Sequence, residues 1–115
     1  MEVSEYMAKS IESYMPLSET AYYILLSLKI PRHGYGIIKY VDELTNGRIV
    51  LGSGTIYTTL GKMKKSNFIT VYQDQDRKTI YILTTKGKKL LELEVDRIKK
   101  MYSDTLKVEG VLDEN

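Results

Sequence analysis

The end of this chain restricts its fold more than any other part. From Thr84 or Thr85 an unbroken helical pattern can run to Val108, about 25 residues or ~37 Å at 1.5 Å per residue. Along it Leu91, Val95, Ile98, Tyr102 and Leu106 recur at steps of four, three, four and four, which places them on one side. A chain of 115 residues has room for one domain. The core of so small a domain cannot cover an apolar strip of that length. The stripe therefore predicts a second copy of the chain packed along it. Helix one, through Tyr22 or Tyr23, and the arm before it are expected to share that interface.

Three shorter helices and a hairpin precede the long helix. Ser18 is a good N-cap with Glu19 behind it, and Leu17 can staple against Tyr22. Ala21, Ile24, Leu25 and Leu28 then give helix one a single buried face, and Pro31 closes it. Helix two is predicted over about Gly34–Leu44, with Ile37, Ile38, Val41 and Leu44 inward and Asn46-Gly47 as its stop. Arg48 to Leu51 forms a short strap. Helix three spans roughly Ser53 to Ser66, with Ile56, Leu60 and Met63 inward and Asn67 where a capping glycine is usual. Phe68–Gln73 and Thr79–Leu83 read as two strands, with the polar stretch Asp74–Lys78 as their turn.

This order is that of a winged helix-turn-helix, an α+β fold that is mostly α, carrying a long C-terminal dimerisation helix. The expected divisions are an arm or short helix at 1–16 (Met7, Ile11 and Tyr14 at loose helical spacing), the winged unit at 17–83, the dimerisation helix at 84–108 and a tail at 109–115.

Charge is distributed unevenly. Residues 48–89 hold nine basic residues against the two acids Asp74 and Asp76, whereas the rest of the chain holds eight basic and thirteen acidic, for a net charge of +2. One strongly basic segment in a nearly neutral protein is the electrostatic footprint of an anion-binding face, or a solvated lysine-rich surface. Helix three favours the first. At 100° per residue its outward side carries Gly54, Thr58, Gly61, Lys62 and Lys65, flanked by Tyr57 and Lys64 on one edge and by Thr55 and Thr59 on the other, without a carboxylate. Small residues let such a helix sink into a groove, lysines neutralise phosphate, and threonine can meet a phosphate or a thymine methyl. Arg77 and Lys78 at the hairpin either reach the backbone too or are satisfied by Asp74 and Asp76.

Other chemistries find little support. The chain has no cysteine and one histidine, His33, placed before helix two as a capping residue would be, so neither a metal site nor a catalytic centre is expected, and no cofactor. No apolar run approaches the ~18 residues of a membrane span, and the N-terminus lacks a signal pattern, so the protein is expected in the cytoplasm. The ten tyrosines are unusual for this length. Most, such as Tyr22 and Tyr40, are expected half-buried, while Tyr23 and Tyr102 are candidates for a cleft at the dimer interface that takes a small aromatic effector.

His33-Gly34-Tyr35-Gly36-Ile37, then Leu51 leading to Gly54-Thr55-Ile56-Tyr57 with Leu60 and Met63, then Arg77-Lys78 with Tyr81, Leu83-Thr84 and Gly87, resemble in order and spacing the signature of the PadR family. The resemblance covers roughly residues 17–95. It implies a transcriptional regulator, usually a repressor, that binds a pseudo-palindromic operator on double-stranded DNA as a homodimer joined through its C-terminal helix. In some members phenolic acids or planar drugs relieve repression. The single C-terminal helix is similar to that of the smaller PadR subfamily. Lys64 stands where the family commonly has Glu, Asn67 where it has Gly, and the glycine-rich approach to the wing arginine is missing. With no tryptophan in the chain, an indole platform for planar drugs is not implied. The alternative to a DNA-binding regulator is a winged-helix module that binds protein; lysine density on helix three argues against it, since a protein-docking face should show aromatics or leucines there.

Overall fold

The computed structural model describes residues 11–113. Its elements run α1 (Glu19–Ser27), α2 (Gly34–Leu44), α3 (Ser53–Lys65), β1 (Ile69–Gln75), β2 (Lys78–Leu83) and α4 (Thr85–Lys107). Helix starts follow the capping signals. The Ser18 hydroxyl accepts from the Ala21 N–H at 3.1 Å, the His33 Nδ1 from Gly36 at 3.0 Å and the Thr84 hydroxyl from Gly87 at 3.0 Å.

Left-handed residues end α2 and α3. Asn46 and Gly47 have φ of 52° and 79°. Asn67, at φ 64°, closes α3 in a Schellman arrangement: its N–H donates to Lys64 O at 3.0 Å and that of Phe68 to Met63 O at 2.9 Å. Asparagine thus does the work of the expected glycine, being among the few side chains that tolerate this conformation.

The inner faces of the first three helices meet as one core of Ile24, Leu25, Leu28, Ile37, Val41, Ile56, Leu60 and Met63, closed below by Phe68, Leu83, Leu90 and Leu91. Two features depart from expectation here. Leu44 is 46% exposed rather than inward. It borders an open cleft beside Tyr22, Tyr23 and Leu26. Residues 11–16 of the expected arm pack onto the winged unit: Ile11 is fully buried, and Tyr14 sets its ring edge-on to Phe68 at 4.8 Å between centroids. Met7 lies outside the described residues.

The hairpin is longer and its turn tighter than the polar stretch 74–78 suggests. The strands pair antiparallel out to Gln75↔Lys78, with an irregularity between Val71 and Gln73. Only Asp76 and Arg77 remain in the loop, both at positive φ (44° and 68°), as a type I′ turn requires. At its root the hairpin gains a third partner. Arg32 forms an isolated antiparallel bridge with Tyr81, exchanging backbone hydrogen bonds of 3.1 and 2.8 Å. Helix α4 leaves the hairpin through Gly87, where a Cβ would stand 2.0 Å from the Phe68 carbonyl oxygen. Only glycine lets α4 cross so close to that backbone.

Candidate nucleic-acid interface

Helix α3 is held by Ile56, Leu60 and Met63, so the opposite side must face outward. Gly54, Thr55, Tyr57, Thr58, Gly61, Lys62, Lys64 and Lys65 are all exposed there, while Thr59 is half-buried. No acidic residue stands in α3, and Lys62, Lys64 and Lys65 fill its last turn, where the helix dipole favours cations. The two glycines are informative. A Cβ at Gly54 or Gly61 would meet nothing within 4 Å. Glycine costs a helix interior about 1 kcal/mol relative to alanine, and no neighbour in this protomer requires it. Both lie on the side that another molecule would have to approach.

The hairpin stands beside this face as a wing. Among the described residues no carboxylate pairs with Arg77 or Lys78, so neither Asp74 nor Asp76 holds them in an ion pair. Between the wing and the starts of α2 and α3 lies a groove of about 310 Å³ that His33, Tyr35, Tyr57, Arg77 and Lys78 line. Tyr57 is 58% exposed and reaches across Gly34, where a Cβ would come within 2.9 Å of its ring. The structure thus gathers Tyr57, Arg77 and Lys78 at one groove and leaves Thr55, Thr58, Lys62 and Lys65 on the adjoining helix face. His33 serves as the N-cap of α2 and lies nearly parallel to the Tyr35 ring. Arg48, although in the basic segment, is committed elsewhere: it donates to Glu19 at 2.9 Å and to the Tyr23 hydroxyl at 2.8 Å. Those two hydrogen bonds, Tyr23 first, raise its pKa above the ordinary guanidinium value.

Helix α4 divides along its length. Leu91 is only 7% exposed and packs into its own protomer's core, so the free strip begins later than the sequence stripe implies. Val95 is half-buried against that core, whereas Ile98, Tyr102 and Leu106 are exposed at 39%, 60% and 57%, with Met101 beside them. The stripe changes role midway, from the protomer's own core at Leu91 to an exposed side from Ile98 onward.

Between these halves sits a residue that hydrophobic periodicity cannot flag. Glu94 is wholly buried; its Oε1 accepts from the Leu17 N–H at 3.0 Å and its Oε2 from Arg97 Nε at 3.0 Å. It ties the N-terminal segment to α4. Tyr23 lines two clefts, one shared with Ile98, but Tyr102 lines neither, so these two candidate effector residues are not brought together in a single chain. Among the described residues there is no cluster of His, Cys, Asp or Glu suited to a metal ion, and no helix is long and apolar enough to cross a membrane.

Residues 23–93 match the transcriptional regulator PadR-like family. A transcriptional regulator of Escherichia coli K12, YqjI, is 30% identical over 79 residues, which are 69% of this chain and 38% of that protein. The chain thus spans well under half the length of this curated relative. Among solved structures, a PadR family transcription regulator from Clostridium difficile R20291 is similar with a TM-score of 0.68 and 26% identity, covering 78% of this chain and 97% of the other. Bacillus subtilis PadR, solved in complex with operator DNA, is similar with a TM-score of 0.58 and 30% identity, over 65% of this chain and 45% of its own.

Proposed function

Because the chain belongs to the PadR-like family of transcriptional regulators, we propose that it is a sequence-specific repressor that binds a pseudo-palindromic operator as a homodimer, with α3 in the major groove and the wing on the flanking backbone. The observation that carries this reading is the outward side of α3: two glycines that no packing demands, threonines, and three lysines without an acid. Such a face suits close approach to a phosphate-lined groove. The relative from Bacillus subtilis, solved with operator DNA, supports it. In this arrangement Thr55 and Thr58 meet base edges, while Lys62, Lys65, Arg77 and Lys78 neutralise phosphates.

Dimerisation rests on the outer half of α4. Tyr102 and Leu106 are mostly exposed and Ile98 partly so, and a two-fold axis beside them brings two α4 helices together. The paired α3 helices then stand about one DNA turn apart, ~34–36 Å. Leu91 holds each α4 to its own core, and Val95 lies at the boundary.

Binding to a duplex selected by the protein from a random library, followed against salt, tests the reading. Six to eight neutralised phosphates per dimer predict a slope of log affinity on log salt of roughly −5 to −7, and Lys65→Ala should reduce its magnitude by about two. A parental slope near zero would sink the proposal.

A further inference from the structure

In the reading above, the groove between the wing and the start of α2 takes part only through Arg77 and Lys78, as cations that meet phosphate, and its tyrosines and His33 have no part. Its lining has a definite chemistry. Eight residues surround it, and none is acidic. Arg77 and Lys78 enter it without a carboxylate partner among the described residues. Three tyrosines, Tyr35, Tyr57 and Tyr81, and the His33 ring complete the walls. Because Nδ1 of His33 accepts from Gly36 N–H, the proton of its neutral ring sits on Nε2, leaving a donor there. Phenols, an imidazole N–H and two cations form a donor-rich, positively charged recess that a cation or an apolar group would not satisfy and that a singly charged phosphodiester would.

Two further observations make the recess a built feature rather than a gap. The bridge between Arg32 and Tyr81 fixes the root of the wing against the start of α2, which sets the distance across the groove. Gly34 then gives the Tyr57 ring its place: a Cβ there would stand 2.9 Å from Cε1 and 3.0 Å from the hydroxyl oxygen. Any larger residue at 34 would push the phenol aside. Tyr57 belongs to α3, so the recess is continuous with the face proposed to enter the major groove. A strand of DNA leaving that groove would pass it.

We propose that this groove seats one DNA backbone phosphate per half-site, with the Tyr57 hydroxyl as its central donor, Arg77 and the His33 ring beside it, and Gly34 as the positioning residue that keeps the phenol in place. The assignment rests on the DNA-binding reading. It gives Tyr57 a backbone role, which fixes the register of α3 on the duplex, rather than a base-reading one.

The test scans single methylphosphonate substitutions, which remove one backbone charge at a time, along a half-site of a duplex that the parent protein has selected from a random library. For the parent, one phosphate outside the bases covered by α3 should show a loss of about tenfold or more, the scale of a hydrogen bond to a charged group. Tyr57→Phe keeps the ring on Gly34 but removes the donor. It should bind the unmodified duplex more weakly, and its methylphosphonate penalty should shrink at that phosphate alone. Gly34→Ala retains every polar group and displaces only the exposed Tyr57 side chain, so it should remain folded, as circular dichroism would show, while reproducing the altered phosphate pattern. Penalties in Tyr57→Phe that equal the parent's at every position would overturn the seat while leaving DNA binding intact. A parent that selects no sequence and retains no duplex at low salt would overturn the underlying reading, and the seat with it.

Discussion

Gly61 offers a test in which stability and affinity should move in opposite directions. It lies within α3 on the exposed side, with helical residues before and after it and nothing within 4 Å of where its Cβ would be. Replacing glycine by alanine inside a helix removes about 0.8–1 kcal/mol of conformational penalty. For a domain of this size that corresponds to a rise in melting temperature of roughly 4–6 °C, compared at equal protein concentration because a dimer melts later when concentrated. The added methyl group extends about 1.5 Å from the helix on the side proposed to face DNA. There it would hold the backbone of α3 off the groove floor and lengthen the phosphate contacts of Lys62 and Lys65. Crowding of a close-packed contact costs on the order of 1–3 kcal/mol, so affinity for a selected duplex should fall by at least about fivefold. Thermal melting by circular dichroism and fluorescence anisotropy on labelled duplex provide the two readouts. A folding defect cannot raise the melting temperature and weaken binding together. A higher melting temperature with parental affinity would refute the close approach of this helix face to DNA, and a lower one would refute the claim that the position is open.

Gly87→Ala should behave in the opposite way: with the Phe68 carbonyl 2.0 Å from the new Cβ, that backbone must retreat and give up its hydrogen bond from Thr84 N–H, a net loss of about 2–4 kcal/mol in urea denaturation; parental stability would contradict the close crossing. Ile98→Lys places like charges near the proposed two-fold axis and should yield a folded monomer that no longer retains operator; a dissociated variant with undiminished operator affinity, seen by sedimentation and gel shift, would reject the dimer mechanism. Thr58→Ala should broaden the sequences recovered in binding-site selection more than Lys65→Ala does, and equal weakening across all sequences in both variants would mean that α3 does not read bases through Thr58.

What could be read from the sequence was local. Ser18, His33 and Thr84 announce helix starts because a cap and its partner lie three residues apart, and the inner faces of α1 and α3 follow from period alone. The outward face of α3 is legible for the same reason: naming three inward residues determines the rest. Features that depend on distant partners were not legible. Glu94 is buried because the Leu17 N–H, 77 residues away, and Arg97 satisfy its carboxylate, and an acidic residue one step off an apolar stripe gives no sign of this. Leu91 carries the same periodic signal as Ile98, yet one faces its own core and the other faces outward, since helical period reports direction and not what lies there. The groove joins His33 and Gly34 to Arg77 across more than forty positions, and a one-residue bridge at Arg32, too short to register as a strand, sets its width.

That bridge has a mechanical consequence. By pinning Tyr81 to Arg32, it splits the hairpin into an anchored root and a cantilevered tip that runs from Tyr81 to the Asp76-Arg77 turn, roughly 14 Å at 3.4 Å per residue. Beyond the bridge the tip is held only by the hairpin's own strand pairing, so on the reading proposed above Lys78 and Arg77 can adjust to a bound duplex while the root stays fixed. Restricting motion to these few residues limits the ordering penalty of docking to about 1–2 kcal/mol for each one immobilised. Lengthening the turn with inserted glycines would soften the tip without touching the root, and breaking the bridge would loosen the whole beam.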